Sequence, residues 1–462
     1  MTAEFEVCVL GGGPGGATLA TRLAVLGHRV ALLERQRFPR PHVGESLSPG
    51  IWPLLDVLGV PQETLRAQAV AVRKAVVCWD GAAERVPVRD SVTVDRARFD
   101  AVLLRQAEAA GATVRSRVGA GRPVREDGGW RIPVEQRALR ARVVADASGR
   151  HRLLGGHRAW TGPRTLAVHA RWPGSWPEDA PQTVVDTLPE GWLWAARLPG
   201  DDVRVIAFVD PQELRSEAGG PAQLLHRLLH ASTLPGHRVA THGRPGPVEV
   251  CDASSYAVDP PIGPDHVRVG EASFGIDPLS SSGVQTAIQS GLAAAVAVHT
   301  LLTPGGDVAA TLEYYAELQR SCVVHHQQTA ARFYAAHHRF ARESFWQRRS
   351  SAAPPGPPSS PPPVPWTALL AHRVRLRAPA VLRDVPCLVG DLVVRRPALH
   401  HPDLDRPVAF LAGVELAPLL RDLPAAPSLA TALQQWDHAL PPGRGAEIVG
   451  WLHRRALLEP AP

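Results

Sequence analysis

The chain has 462 residues, with 50 Lys or Arg against 44 Asp or Glu and a formal net charge of +6. That length allows two to three domains at roughly 150 residues each. No apolar run reaches the ~18 residues of a transmembrane helix, and the N-terminus shows no basic leader, so neither a membrane anchor nor a secretory signal is expected. Five scattered cysteines without a Cys-x-x-Cys argue against a disulfide framework or a zinc site and fit a cytoplasmic protein. Lys74 is the only lysine; arginine supplies the remaining positive charge and is spread evenly, which reads as solvated surface and not as a nucleic-acid face.

Residues 4–10 end in an apolar run and read as a buried parallel strand. Gly11-Gly12-Gly13-Pro14-Gly15-Gly16 follows, then a helix over 17–26 stopped by Gly27, then a strand over 29–33 ending at Glu34. This is a GxGxxG in its required context, with an acid about 20 positions on. Gly11 permits the tight turn, Gly13 lets backbone approach a pyrophosphate, and Gly16 lets helix and strand pack closely. The helix N-terminus offers free N–H groups to phosphate. Glu34 is placed to accept hydrogen bonds from ribose hydroxyls, and Arg35 beside it is a further nucleotide candidate.

Further along, 98–110 has the spacing of an amphipathic helix, and 113–114 and 143–146 read as strands. The stretch 164–210 turns β-rich, with short alternating runs that predict an antiparallel sheet. Residues 267–270 return to the parallel sheet, helices are expected over 283–302 and 311–345, and the proline-rich 350–365 is a linker. Beyond it, 392–394 and 408–411 read as strands and 414–423, 429–436 and 446–455 as helices. The histidine pairs at 325–326, 337–338 and 400–401 lack i, i+4 partners, so they read as solvated positions and no metal site is expected.

Several segments resemble a known family. Thr93 to Asp100 (TVDRARFD) resembles the strand-to-helix segment of FAD-dependent aromatic hydroxylases, where an arginine, here Arg96, meets the flavin nucleotide. Val144 to Arg150 (VADASGR) resembles their DAtGr stretch and brings in Asp146. VGEAS from Val269 and DPLSSSG from Asp277 resemble their second flavin motif, with Glu271 where Asp is usual and Pro278, Ser282 and Gly283 leading into a helix. That helix start is suited to negative charge on the flavin ring. PHVGESLSPG from Pro41 resembles flavin-dependent halogenases and their monooxygenase relatives, including maturases that hydroxylate a tryptophan in quinone-cofactor amine oxidases. Gly44 and Ser46 are thereby implied at the cofactor, and Glu45 near the chemistry.

Two halogenase marks are degraded. The Trp-x-Trp-x-Ile-Pro motif survives as Trp192-Leu193-Trp194 with its proline displaced, and the lysine that handles hypohalite has only Lys74 to match it, at the wrong spacing from Trp79. An arginine cannot replace that amine. The expectation is therefore an FAD-dependent monooxygenase that hydroxylates an aromatic ring through a flavin C4a-hydroperoxide, on a tryptophan of a peptide or protein. Lys74, Glu45, Trp192 and Trp194 are the catalytic candidates; His169, Asp186 and Glu45 are candidates for a base. A halogenase using Lys74, a reductase of isoprenoid chains and a non-catalytic flavoprotein or peptide-binding scaffold are the alternatives. The resemblance implies an α/β fold: a Rossmann-like FAD-binding domain (1–160 and 260–349), an inserted antiparallel substrate domain (161–259) and a small winged-helix-like α+β domain (366–462). Expected partners are O2, an aromatic substrate bound through 366–462 if it is a peptide, and NAD(P)H or a separate flavin reductase, with no nucleic acid and no membrane.

Overall fold

A computed structural model describes residues 4–174, 176, 180–232, 244–350, 365–404 and 406–461. Strand Phe5–Leu10 is fully buried from Val7 onward. It pairs in parallel with Val30–Glu34 on one side and Arg137–Asp146 on the other. Near-continuous apolar runs are what a parallel strand covered on both faces requires. The sheet runs in the order Ile262–Gly263, His266–Arg268, Arg137–Asp146, Phe5–Leu10, Val30–Glu34, Thr113–Ser116, with a hairpin of Val124–Glu126 and Gly129–Val134 attached to Arg137–Asp146. Helix Pro14–Val25 follows the first strand, and helix Arg96–Ala109 packs on it. This is the Rossmann-like core.

The second sheet also has eight strands. Its order is Glu249–Asp252, Leu166–Trp172, Val203–Val209, Gly191–Arg197, Thr183–Leu188, Ala69–Cys78, Glu84–Val94, Ser46–Leu47. The β-rich stretch expected at 161–259 thus provides five strands, and three more come from residues 46–94. Their alternation is weak in sequence, since Glu84–Val94 is exposed over most of its length and contains Pro87. The two faces are distinct, because successive side chains point opposite ways. Val168, Ala170, Leu193, Ala195, Val205 and Ala207 lie against Leu224, Leu225, Leu228 and Leu229 of helix Gly220–Ala231. Trp192, Trp194, Ile206 and Phe208 form the other face, together with Tyr334, Phe345 and Trp346.

The helix expected at 311–345 is two: Val308–Ala335 and Ser344–Ser350. Between them the Asp80 carboxylate accepts from the backbone N–H groups of His338 and Arg339, at 2.8 and 2.7 Å. That side chain takes donors that a continuing helix needs for its own carbonyls. His337, expected to be solvated, is buried instead. It stacks on Trp346 at 3.7 Å, its Nδ1 donates to the Trp79 carbonyl at 2.5 Å, and its Nε2 accepts from Phe340 N–H at 3.0 Å.

The chain forms two compact units: residues 1–301 with 315–354, and residues 302–314 with 355–462. The second contains a ribbon of Val374–Leu376 with Leu458–Pro460 and a hairpin of Val381–Val389 with Leu392–His400. Helices Leu416–Asp422, Leu429–Ala439 and Arg444–Arg454 enclose a core including Leu420, Leu429, Trp436, Ile448 and Leu452. All three lie within a few residues of their expected positions. Among the described residues no helix is long and apolar enough to cross a membrane.

Candidate active site

The glycine loop is fixed by close approach. A Cβ on Gly16 would lie 2.0 Å from the Gly11 carbonyl oxygen, and one on Gly11 would lie 2.4 Å from that of Ala147. Gly13 faces open space, with only the Arg40 guanidinium within 4 Å of an added Cβ, at 3.6 Å. No side chain caps the helix that begins at Pro14. Its first-turn N–H groups are therefore available to an anion. Glu34 is buried at the end of its strand, accepting from Gly12 N–H at 2.8 Å and Gln36 N–H at 2.7 Å. Arg35 is exposed and meets the His151 ring at 2.5 Å.

Asp95 caps the helix Arg96–Ala109 through Ala97 N–H at 2.8 Å. Arg96 then points inward, buried, and donates to both oxygens of Asp100 at 2.9 and 3.0 Å. The sequence held a signal for this partner, an acid four positions along the helix. Arg96 also donates to the carbonyls of Val43 and Gly44, at 2.6 and 3.3 Å. Gly44 has φ +94, and a Cβ there would lie 2.8 Å from the guanidinium. Hence the loop before Ser46 needs glycine, both for its left-handed backbone and for room. Ser46 continues into the second sheet opposite Thr93.

Glu45 is 2% exposed. Its carboxylate takes the Arg204 Nε–H at 2.7 Å and the Gly44 N–H at 2.9 Å. Arg204 Nη1 lies 3.3 Å from His169 Nδ1. Burial, and next the Arg204 charge, lower the His169 pKa to about 4. Ile206 pairs with His169 on one side and Trp194 on the other, so these three form one row across the sheet.

Asp146 is fully buried. Its oxygens accept from Ser148 N–H and Oγ–H and from Leu154 N–H, at 3.1, 2.6 and 2.8 Å. It therefore shapes the loop that Gly11 abuts. Glu271 is turned to Arg150, whose Nε donates to it at 2.8 Å. Pro278 opens a short turn after Asp277, and the Ser282 carbonyl accepts the Thr286 N–H at 2.8 Å as helix Gly283–Leu302 begins. The Ser282 hydroxyl donates to Ser280 Oγ at 2.8 Å.

Trp192 and Trp194 part company. Trp192 stacks on Phe208 at 4.1 Å and donates to the Tyr334 hydroxyl at 3.3 Å, which marks it as core. Trp194 lies in the His169 row. Lys74 is exposed and shares its strand face with Val76 and Cys78, two and four residues on, which lie on the Gly220–Ala231 side of the sheet, opposite Trp194. Asp186 is on that side too and accepts from Ser232 Oγ–H at 2.6 Å. Neither Lys74 nor Asp186 is brought to the row of His169 and Trp194. Sequence reasoning missed Asp100, Arg40 and Arg204: Asp100 had the spacing signal, whereas Arg204 looks like any other arginine on a strand.

The family model described as tryptophan halogenase matches residues 6–88 and 85–360. The chain belongs to that family. A tryptophan 2-halogenase of Chondromyces crocatus is 31% identical over 342 residues, 68% of this chain and 65% of that protein. The match spans 64% of a flavin-dependent halogenase of Armillaria mellea, so the chain spans just under two thirds of these curated relatives. Among solved structures, peptidyl tryptophan dihydroxylase QhpG superposes with a TM-score of 0.78 at 26% identity, covering 98% of this chain and 100% of that one. The chondrochloren halogenase CndH gives 0.68 at 28% identity over 75% of this chain and 85% of its own. Members of this family are FAD-dependent oxidoreductases. The donor set fits the cofactor: an uncapped helix start beside an open Gly13, a buried acid at the strand end, and a second helix start at Gly283.

Proposed function

We propose that the protein is an FAD-dependent monooxygenase that hydroxylates an aromatic ring, the indole of a tryptophan within a peptide or protein. The observation that carries this reading is the place of Lys74. It is the chain's one lysine, it is exposed, and it lies on the sheet face opposite Trp194. Halogenation through a lysine amine needs that amine beside the ring, and arginine does not substitute for it. The full-length likeness to a peptidyl tryptophan dihydroxylase supports the same reading, since it extends over the C-terminal unit.

When bound, FAD supplies the oxidising power from O2, with electrons from NAD(P)H or a separate reductase. The chain's own residues do the rest. Gly11, Gly13, Gly16 and Glu34 would hold the nucleotide, and Gly44, Ser282 and Gly283 would line the place of the ring. The Arg96–Asp100 and Arg204–Glu45 pairs hold the 43–46 loop from two sides, so its geometry is set before substrate arrives. Trp194 and Ile206 present an apolar wall that keeps water from the reacting ring. Residues 366–462 bind the peptide outside the modified residue.

A halogenase is the second reading, favoured by the 31% identity to a tryptophan 2-halogenase. One experiment decides. The protein, with FAD, a flavin reductase and 18O2, is given a tryptophan-containing peptide with and without bromide. Intact mass is expected to show labelled oxygen in both cases, and equally with Lys74→Met. A bromine isotope pattern that disappears in Lys74→Met would establish the halogenase instead.

A further inference from the structure

The Trp194 face of the second sheet carries a buried polar chain that the cofactor contacts leave unexplained. Arg204 donates to Glu45 at 2.7 Å and reaches His169 Nδ1 at 3.3 Å. A guanidinium has donors only, so Nδ1 must be the acceptor. The neutral imidazole therefore carries its hydrogen on Nε2. Glu249, opposite His169 on the neighbouring strand, is 4.0 Å from Nδ1, too far for a hydrogen bond. The ring stays neutral, because burial and then the Arg204 charge disfavour a second proton. His42 is the other titratable group that bears on it, and it too disfavours that proton.

His169 is 4% exposed, and its Nε2 has no hydrogen-bond partner among the described residues. Nε2 is not among the fully enclosed unpaired side-chain atoms, so it is the part of this otherwise buried ring that a bound molecule can reach. It stands in the row of Ile206 and Trp194. Its chemistry restricts the ligand: Nε2–H gives a hydrogen bond and accepts none. His169 therefore does not take the indole N–H proton, and the role of base considered from sequence falls away. The ring of tryptophan offers no acceptor. The peptide carbonyls on either side of it do.

We propose that His169 is the substrate-anchoring donor of the cleft, its Nε2–H binding a backbone carbonyl oxygen of the tryptophan-bearing chain. Arg204 fixes the tautomer, and Glu45 orients Arg204. This rests on the tryptophan reading given above and adds how the enzyme tells a peptidyl residue from a bare indole.

The test uses the full chain with FAD and two probes: N-acetyl-L-tryptophanamide, which carries carbonyls, and 3-methylindole, which has none. Equilibrium binding of the first is expected to weaken about tenfold in His169→Leu, as one hydrogen bond would give. Binding of 3-methylindole should stay within about twofold, and His169→Gln, which keeps an N–H donor, should restore the first probe. Equal losses for both probes, or no loss for either, overturn the proposal. Failure of the wild-type protein to bind either probe overturns the tryptophan substrate and with it this ligand. The donor assignment has its own readout, the imidazole 15N shifts of the wild-type protein. They should report hydrogen on Nε2, and hydrogen on Nδ1 overturns the assignment whatever the substrate.

Discussion

At the scale of single residues, His169 and Lys74 show how little residue type says without position. Both are reactive side chains on one sheet, yet one is shut in beside Arg204 and the other is in solvent. The burial of His169 has a consequence for stability. Its pKa is about 4 in the folded chain against an ordinary value of 6.5, so the unfolded chain binds a proton that the folded one refuses. The sign follows: stability is unaffected above pH 6.5 and falls as pH drops from 6.5 toward 4. Urea midpoints at pH 7, 5.5 and 4.5 should decline in the wild type and decline less in His169→Gln. Parallel declines would remove His169 as the cause. The residue scale also shows which sites could be read in advance. The turn at Gly11 and Gly16 follows from a motif whose geometry is local, whereas nothing near Asp146 in the chain announces that it ties its own loop through Ser148 and Leu154.

Among elements, the helix Val308–Ala335 does more than cover the sheet. Near its end Tyr334 donates to Asp277 at 3.2 Å and accepts from Trp192 at 3.3 Å. It thereby joins three elements: the helix, the strand Gly191–Arg197 and the turn into the second flavin motif. Burial pushes the Asp277 carboxyl up and, with the Asp277 charge, pushes the Tyr334 hydroxyl up as well. Tyr334→Phe removes both hydrogen bonds and leaves a buried carboxyl with fewer donors. A cost of about 1–3 kcal/mol is expected, read as a lowered urea midpoint at unchanged slope. An unchanged midpoint would mean that Asp277 is satisfied without the tyrosine. Sequence gave good sight of the elements whose contacts are near in the chain, such as the βαβ unit and the three C-terminal helices. It gave poor sight of the second sheet. Ala69–Cys78 pairs in parallel with Thr183–Leu188, and Glu45 meets Arg204 across 159 positions. No local pattern marks a partner that far away, and arginine and proline within Glu84–Val94 hide its alternation.

For the whole molecule, the nucleotide cleft and the second sheet share one compact unit, joined by the strand Ser46–Leu47 and the helix Arg96–Ala109. A cofactor that binds only the folded form must then raise the stability of that unit. At FAD concentrations about 100 times Kd, a gain of about 2.7 kcal/mol is expected. It would appear as a higher melting temperature with added FAD, absent in Gly16→Val, where a side chain would meet the Gly11 carbonyl. A wild-type melting temperature indifferent to FAD would count against the cofactor site. The solitary lysine has a further consequence of a practical kind. A reagent that attacks ε-amines finds only Lys74, on the sheet surface turned away from Trp194 and His169. Dyes, biotin or a solid support coupled through that amine, with the chain's α-amine blocked first, would attach at one known point. Every tethered molecule would then face the same way, with its cleft left open to whatever is poured over it.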